Sequence, residues 1–151
     1  MNILLVEDND VDALVFMRAL KKTKLANKVV RARDGVEALE ILTAKEEPGV
    51  LPAPYVILLD VNMPRMNGHE FLAALRSNEN ISSSRVIVLT TSDDPLDIEM
   101  AYGKHASGYV VKPESTAEMS AIIDSLHDYW KMCKHPPHKT QPTTAPTQAP
   151  L

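Results

Sequence analysis

Short, almost wholly apolar runs recur along the chain: ILLV at residues 3–6, VVRA at 29–32, YVILL at 55–59, VIVL at 86–89 and YVV at 109–111. Runs of this length between polar turns read as strands buried on both faces. The segments between them carry helical period instead. The first predicted helix runs from near Asp10 to about Lys24, the second from after Asp34-Gly35 to about Lys45, and the third over 69–77. The fourth opens at Pro95, a favoured first helical position, and reaches about Lys104. In the fifth, Ser115 and Glu118 have capping-box spacing, and Met119, Ile122, Ile123, Leu126 and Trp130 form one apolar stripe. Five apolar strands alternating with five helices predict an α/β fold, a doubly wound five-stranded parallel sheet covered on both faces by right-handed crossovers.

Two stretches fall outside the alternation. Residues 46–54 form a proline-containing loop, and residues 132–151 form a Pro/Thr-rich tail with no charge after Lys139, predicted to be disordered. Residues 1–131 are then one domain, as a 151-residue chain allows. A hydrophobic share of 44% with 24% charged residues is that of an ordinary globular protein. With a net charge of −4 there is no broad basic field for a nucleic-acid backbone, so direct nucleic-acid binding is not expected. One cysteine, Cys133, forms no internal disulfide, and the first strand begins at once, without a signal-like leader. No apolar run approaches the roughly 20 residues that cross a bilayer. A cytoplasmic protein without a membrane span is expected.

Chemistry in an open parallel sheet collects beyond the carboxyl ends of the strands. The first strand ends in Glu7-Asp8, the third in Asp60, the fourth in Thr90 and the fifth in Lys112-Pro113. Three carboxylates gathered there repel by about 4 kcal/mol per pair at about 4 Å and an effective dielectric near 20. A cation must offset this, and hard oxygen donors beside a phosphate favour Mg²⁺. Lys112 supplies another positive charge and Thr90 a hydroxyl. Asp60, Lys112 and Thr90 thus suit a carboxylate nucleophile for phosphoryl transfer, an oxygen-neutralising cation and a donor that senses the product.

Each residue alone would have a plainer reading. A lone strand-end aspartate caps a loop, a lone lysine is solvated, and Tyr109 could be a buried structural tyrosine. A calcium loop counted from Asp8 fails, because its sixth and twelfth positions are Ala13 and Ala19 rather than Gly and Glu. Asp60-Val61-Asn62 lacks the second aspartate of an aspartate-dependent phosphatase. Cys133, His135 and His138 lie in or near the tail and read as solvated rather than metal-ligating.

The succession Glu7-Asp8, Asp60, Thr90 and Lys112-Pro113, with Thr90 and Lys112 30 and 52 positions after Asp60, resembles the receiver domains of bacterial response regulators over about residues 1–130. The resemblance implies a flavodoxin-like sheet of strand order 2-1-3-4-5, with Asp60 as phosphoacceptor. It implies Glu7, Asp8, Asp60 and the Asn62 carbonyl as Mg²⁺ ligands, Asp8 directly. Thr90 and Tyr109 match the switch pair, and Lys112 the phosphoryl-binding lysine, followed by a proline usually preceded by a cis bond. Glu7 is a departure, since many receivers carry aspartate there. The runs LLDVNMPRMNGHEFL and VIVLTTSDD, the extended loop before the third strand and the pair Tyr129-Trp130 resemble the small regulators served by phytochrome-type histidine kinases. A phosphoacceptor switch rather than a classical enzyme is expected, phosphorylated by a histidine kinase or a phosphotransfer protein. With no effector domain after residue 131, output is expected through a downstream protein or a homodimer, by way of the fourth and fifth helices and fifth strand. The alternative is a receiver-like interaction module that is never phosphorylated.

Overall fold

A computed structural model describes residues 1–23, 25, 28–44 and 50–136. The elements follow in the order β1 (Asn2–Val6), α1 (Asp10–Lys22), β2 (Val29–Ala32), α2 (Gly35–Thr43), β3 (Tyr55–Leu59), α3 (Gly68–Ser77), β4 (Arg85–Thr90), α4 (Pro95–Gly103), β5 (Gly108–Val111) and α5 (Thr116–Met132). All strand pairs are parallel, in the order β2-β1-β3-β4-β5. The sheet is the doubly wound one that the apolar runs predict.

Side-chain alternation along each strand splits the core into two layers. Ile3, Leu5, Val56, Leu58 and Leu89 pack with Phe16, Ala19, Leu20, Met119, Ile123 and Trp130 of α1 and α5 on one face. Leu4, Val6, Ile57, Leu59 and Val86 pack with Ala38, Phe71, Leu72 and Leu75 of α2 and α3 on the other. A smaller cluster of Val61, Val88, Ala101 and Ala106 seats α4, with Tyr109 against it. Fully burying one such side chain is worth about 1.5–3 kcal/mol, so the sheet is a rigid platform for whatever stands at its edge.

Local signals fix the helix starts. The Asn9 side chain accepts from the amides of Val11 and Asp12 at 2.9 and 3.0 Å, and Asp10 and Asp12 complement the dipole of α1. Asp94 caps α4 immediately before Pro95. Ser115 accepts from the Glu118 amide at 3.1 Å, giving the first half of the expected capping box. The complete box stands at α3, where Asn67 and Glu70 satisfy each other's amides. Helix α1 stops at Lys22 and α2 at Thr43; the expected ends at Lys24 and Lys45, and the tail from residue 137 on, lie outside the described residues. The cis proline bond among the described residues is Ala53–Pro54, so Lys112–Pro113 is trans, against the expectation drawn from the resemblance.

Candidate functional site

Glu7, Asp8, Asp60, Thr90 and Lys112 converge at the carboxyl edge of β1, β3, β4 and β5. Backbone hydrogen bonds join these strand ends: Asp60 N–H donates to Val6 O at 3.0 Å and Lys112 N–H to Thr90 O at 2.7 Å. Glu7, Asp60 and Thr90 are buried, and the Lys112 side chain is 7% exposed. Thr90 Oγ1 donates to Asp60 Oδ1 at 2.7 Å. Lys112 Nζ donates to Asp60 Oδ2 at 3.2 Å, to Glu7 Oε2 at 2.5 Å and to Asp12 Oδ2 at 2.9 Å. The Asp60 carboxylate therefore lies between a hydroxyl and an ammonium. The Asn62 amide also donates to Asp60 Oδ1, at 3.2 Å, which brings the backbone of that residue alongside.

One carboxylate oxygen from each of Glu7, Asp8 and Asp60 can be chosen so that all three lie within 4.8 Å of one another. Among the described residues this is the one such group. Their excess negative charge, faced by one lysine, and their hard oxygen donors fit a divalent cation. Burial, opposed by the Lys112 hydrogen bond and reinforced by the charge of Asp60, pushes the Glu7 carboxyl up to about 7. For Lys112, burial works downward, but its bonds to Glu7 and Asp12 and the charge of Asp60 more than reverse that, raising its pKa above the usual lysine value.

Two participants carry no assignment from the sequence. Asp12 is visible there only as part of an acidic cluster, yet the first turn of α1 aims it at Lys112. Arg31 has a signal, being the one charge in an apolar strand. Its guanidinium donates to Glu7 O at 3.0 Å and Asp8 O at 3.3 Å and pairs with Asp10 at 2.9 Å, so it clamps the loop that carries the acidic pair. Gly68 lets α3 approach the same edge: its N–H donates to Val61 O at 3.0 Å, and a Cβ there would meet Asp60 O at 2.5 Å.

Among the described residues no hydrogen bond joins Thr90 to Tyr109. Its hydroxyl donates to Ser92 O at 2.9 Å, its ring is partly buried, and that burial raises the phenol pKa. Cys133 caps the end of α5 and His135 lies against the Trp130 ring with centroids 4.2 Å apart, while His138 is outside the described residues.

Residues 3–124 match the family model described as the response regulator receiver domain. The chain belongs to that family. It is a two-component response regulator, a phosphoacceptor switch whose partner in general terms is a histidine kinase. Over 128 residues it is 35% identical to the probable methanogenesis regulatory protein FilR2 of Methanothrix harundinacea, a match covering 85% of this chain and 82% of FilR2. The crystal structure of the Mn²⁺-bound form of response regulator Rcp1 superposes with a TM-score of 0.75 at 30% identity, covering 91% of this chain and 99% of Rcp1. The phosphorylated cyanobacterial phytochrome response regulator RcpA gives a TM-score of 0.73 at 32% identity, covering 87% of this chain and 94% of RcpA. The bound metal of Rcp1 and the acidic group here agree on a divalent-metal site. No helix among the described residues is long and apolar enough to cross a membrane.

Proposed function

We propose that Asp60 is the phosphoacceptor, taking a phosphoryl group in line from a phosphohistidine of a histidine kinase or a phosphotransfer protein. The observation that carries this reading is the Asp60 carboxylate held by Thr90 at 2.7 Å and by Lys112 at 3.2 Å, beside Glu7 and Asp8. In the transfer an Asp60 oxygen forms a bond to phosphorus as the phosphorus–nitrogen bond breaks, and the imidazole leaves with the electron pair. Glu7, Asp8, Asp60 and the Asn62 carbonyl would hold Mg²⁺, which when bound neutralises charge on the phosphoryl oxygens. Lys112 neutralises a further oxygen, and Thr90 gives its hydroxyl hydrogen to the product. Because these groups belong to the receiver, it assists its own phosphorylation and the later hydrolysis.

The acyl phosphate carries a new dianion that attracts Thr90 and Lys112, and Tyr109 responds behind Thr90. Moving such a two-state equilibrium from 1:99 to 99:1 takes about 5.5 kcal/mol, within reach of several charge-assisted hydrogen bonds. Output passes through a downstream protein or a homodimer. Leu96 and Met100 of α4, Val111 of β5 and Tyr129 of α5 are exposed on the elements expected to form that face. Similarity to RcpA supports a phytochrome-type kinase as donor. Residues 1–131 are assigned to the receiver and 132–151 to a tail, although Met132 still belongs to α5 and His135 lies against Trp130.

The test is intact mass after acetyl phosphate, with Mg²⁺ and then with EDTA, on wild type and Asp60→Asn. One phosphoryl group that requires both Mg²⁺ and Asp60 is expected. Labelling of Asp60→Asn equal to wild type refutes the assignment. Thr90→Ala is expected to keep labelling while weakening the conformational response.

A further inference from the structure

Ser92, two residues beyond Thr90, has every polar group engaged. Its amide donates to Thr90 Oγ1 at 3.4 Å, its carbonyl accepts from Tyr109 OH at 2.9 Å, and its hydroxyl donates to Asp97 Oδ2 at 2.5 Å. That hydroxyl also accepts from the Asp94 amide at 3.3 Å, at the cap of α4. The other Asp97 oxygen, Oδ1, meets His69 Nε2 of α3 at 2.8 Å. The two oxygens of one carboxylate thus join the β4–α4 loop to the neighbouring helix. A continuous chain of polar contacts runs from Asp60 through Thr90, Ser92 and Asp97 to His69, with Tyr109 branching off at Ser92.

The placement of these groups gives the chain a mechanical meaning. The Asp97 and His69 side chains are 25% and 13% exposed, so neither is a freely rotating surface group. Hydrogen bonds from Ser92 first and His69 second hold the Asp97 carboxyl below the usual aspartate range, so it is an anion over the neutral range. Thr90 Oγ1 is both donor to Asp60 and acceptor from Ser92. A hydroxyl that follows a phosphoryl oxygen therefore moves the acceptor on which the Ser92 amide depends. Ser92 then shifts with it or loses that bond, and α4 feels the choice through Asp97.

We propose that Asp97 is a positioning residue of the switch: braced by His69 across the α3–α4 seam, it fixes Ser92 and so couples the Thr90 hydroxyl at Asp60 to the placement of α4 and Tyr109. The inference rests on the receiver reading. Its consequence is that phosphorylation and its transmission are separable, with Asp97 acting on transmission.

The experiment is an ¹⁵N–¹H spectrum of the full chain with and without acetyl phosphate and Mg²⁺, following the α4 amides and Tyr109. The occupancy of Asp60 is read in parallel by intact mass, so that responses are compared at equal phosphorylation. Asp97→Ala and His69→Ala are expected to lower the ratio of responding to non-responding α4 about five-fold, a modest coupling between sites. Asp97→Asn should recover the response, because its carboxamide still accepts from Ser92 and can donate to His69. A full α4 response in Asp97→Ala at equal occupancy overturns the inference while leaving Asp60 as phosphoacceptor. A loss that Asp97→Asn fails to recover also overturns it, since it makes charge at the start of α4 the cause. Absence of any label on the wild type removes the receiver reading and the inference with it.

Discussion

Replacing Gly68 by alanine adds one methyl group where α3 meets the Asp60 strand end. The new Cβ would lie 2.5 Å from Asp60 O and 2.6 Å from Val61 Cα. Both are backbone atoms, so no side-chain rotation relieves the contact, and the β3–α3 connection must move. Overpacking of this kind costs about 1–3 kcal/mol. Against it stands the gain of roughly 0.4–1 kcal/mol that Gly→Ala gives by restricting the unfolded chain. The clash wins, leaving a net loss of about 1–2 kcal/mol. At this chain length that lowers the melting temperature by several degrees, about 2–4 °C per kcal/mol. Gly103, at the end of α4, supplies the contrast: a methyl group added there would have nothing within 4 Å, so Gly103→Ala should be neutral or slightly stabilising. Thermal and urea unfolding of both variants measure the signs. Because the displaced atom is the carbonyl of Asp60, Gly68→Ala should also slow labelling by acetyl phosphate under conditions where it is fully folded. A Gly68→Ala protein as stable as Gly103→Ala, with wild-type labelling, refutes the close approach of α3 to the site.

The Asp34 carboxyl is held below its ordinary value by the Arg65 hydrogen bond, with burial opposing, and it caps α2 by accepting from the Glu37 amide at 2.9 Å. A depressed carboxyl gives its full stabilisation above its unfolded value and loses it as pH falls through the folded one. The stability advantage of wild type over Asp34→Asn should therefore shrink below about pH 4 in acid denaturation curves. The raised Glu7 carboxyl, at about 7 against an ordinary 4.5, works in the opposite sense. The native state holds its proton longer than the unfolded chain does, so in EDTA wild type should lose stability relative to Glu7→Gln between those two values, and Mg²⁺ should stabilise wild type more at about pH 8 than at about pH 5.5. Arg31→Met removes the clamp on Glu7 O and Asp8 O; we expect about ten-fold weaker Mg²⁺ binding by titration, in line with outer-shell losses at metal sites, with labelling recovered at high Mg²⁺.

Most of the framework is legible in the sequence because a parallel sheet covered on both faces demands apolar runs. Val29–Ala32 and Tyr55–Leu59 are the observed bounds of β2 and β3. The other strands reach one residue further than their apolar centres, to Asn2, Arg85 and Thr90, and Gly108, since backbone pairing continues past the last apolar side chain. The α5 stripe is legible for the same reason, with Met119, Ile123 and Trp130 buried. Helix α3 starts at Gly68, one residue before the expected His69, and the signal for that start is the Asn67-x-x-Glu70 box, since Asn caps as well as Ser does. Chain order alone brings Glu7, Asp8, Asp60, Thr90 and Lys112 to one edge. It cannot assign Asp12 and Arg31, whose roles depend on side-chain reach between elements far apart in sequence. Tyr109 is expected as the switch partner of Thr90, and what the sequence does not show is Ser92 between them, its carbonyl on the Tyr109 hydroxyl and its amide on Thr90 Oγ1.

Glu7 shows what the longer side chain does at this edge. Its Oε1 accepts from the Asn9 amide at 3.0 Å, tying it to the residue that caps α1, while Oε2 takes Lys112 at 2.5 Å. One carboxylate therefore braces the acidic loop and anchors the lysine at once. The carboxylate of aspartate, one methylene shorter, could not keep both contacts without the backbone moving. Both Glu7 oxygens already have protein donors, and Asp60 shares its own between Thr90, Asn62 and Lys112. A cation at this edge would share the Glu7 and Asp60 carboxylates with Lys112 and meet Asp8 beside them. On the proposed reading, the ammonium shared among Glu7, Asp12 and Asp60 would turn to a phosphoryl oxygen, with a bound cation offsetting the carboxylate charge that it leaves. Such a division of labour would let a site with one lysine and an excess of carboxylates hold itself together and still offer a positive charge to the product.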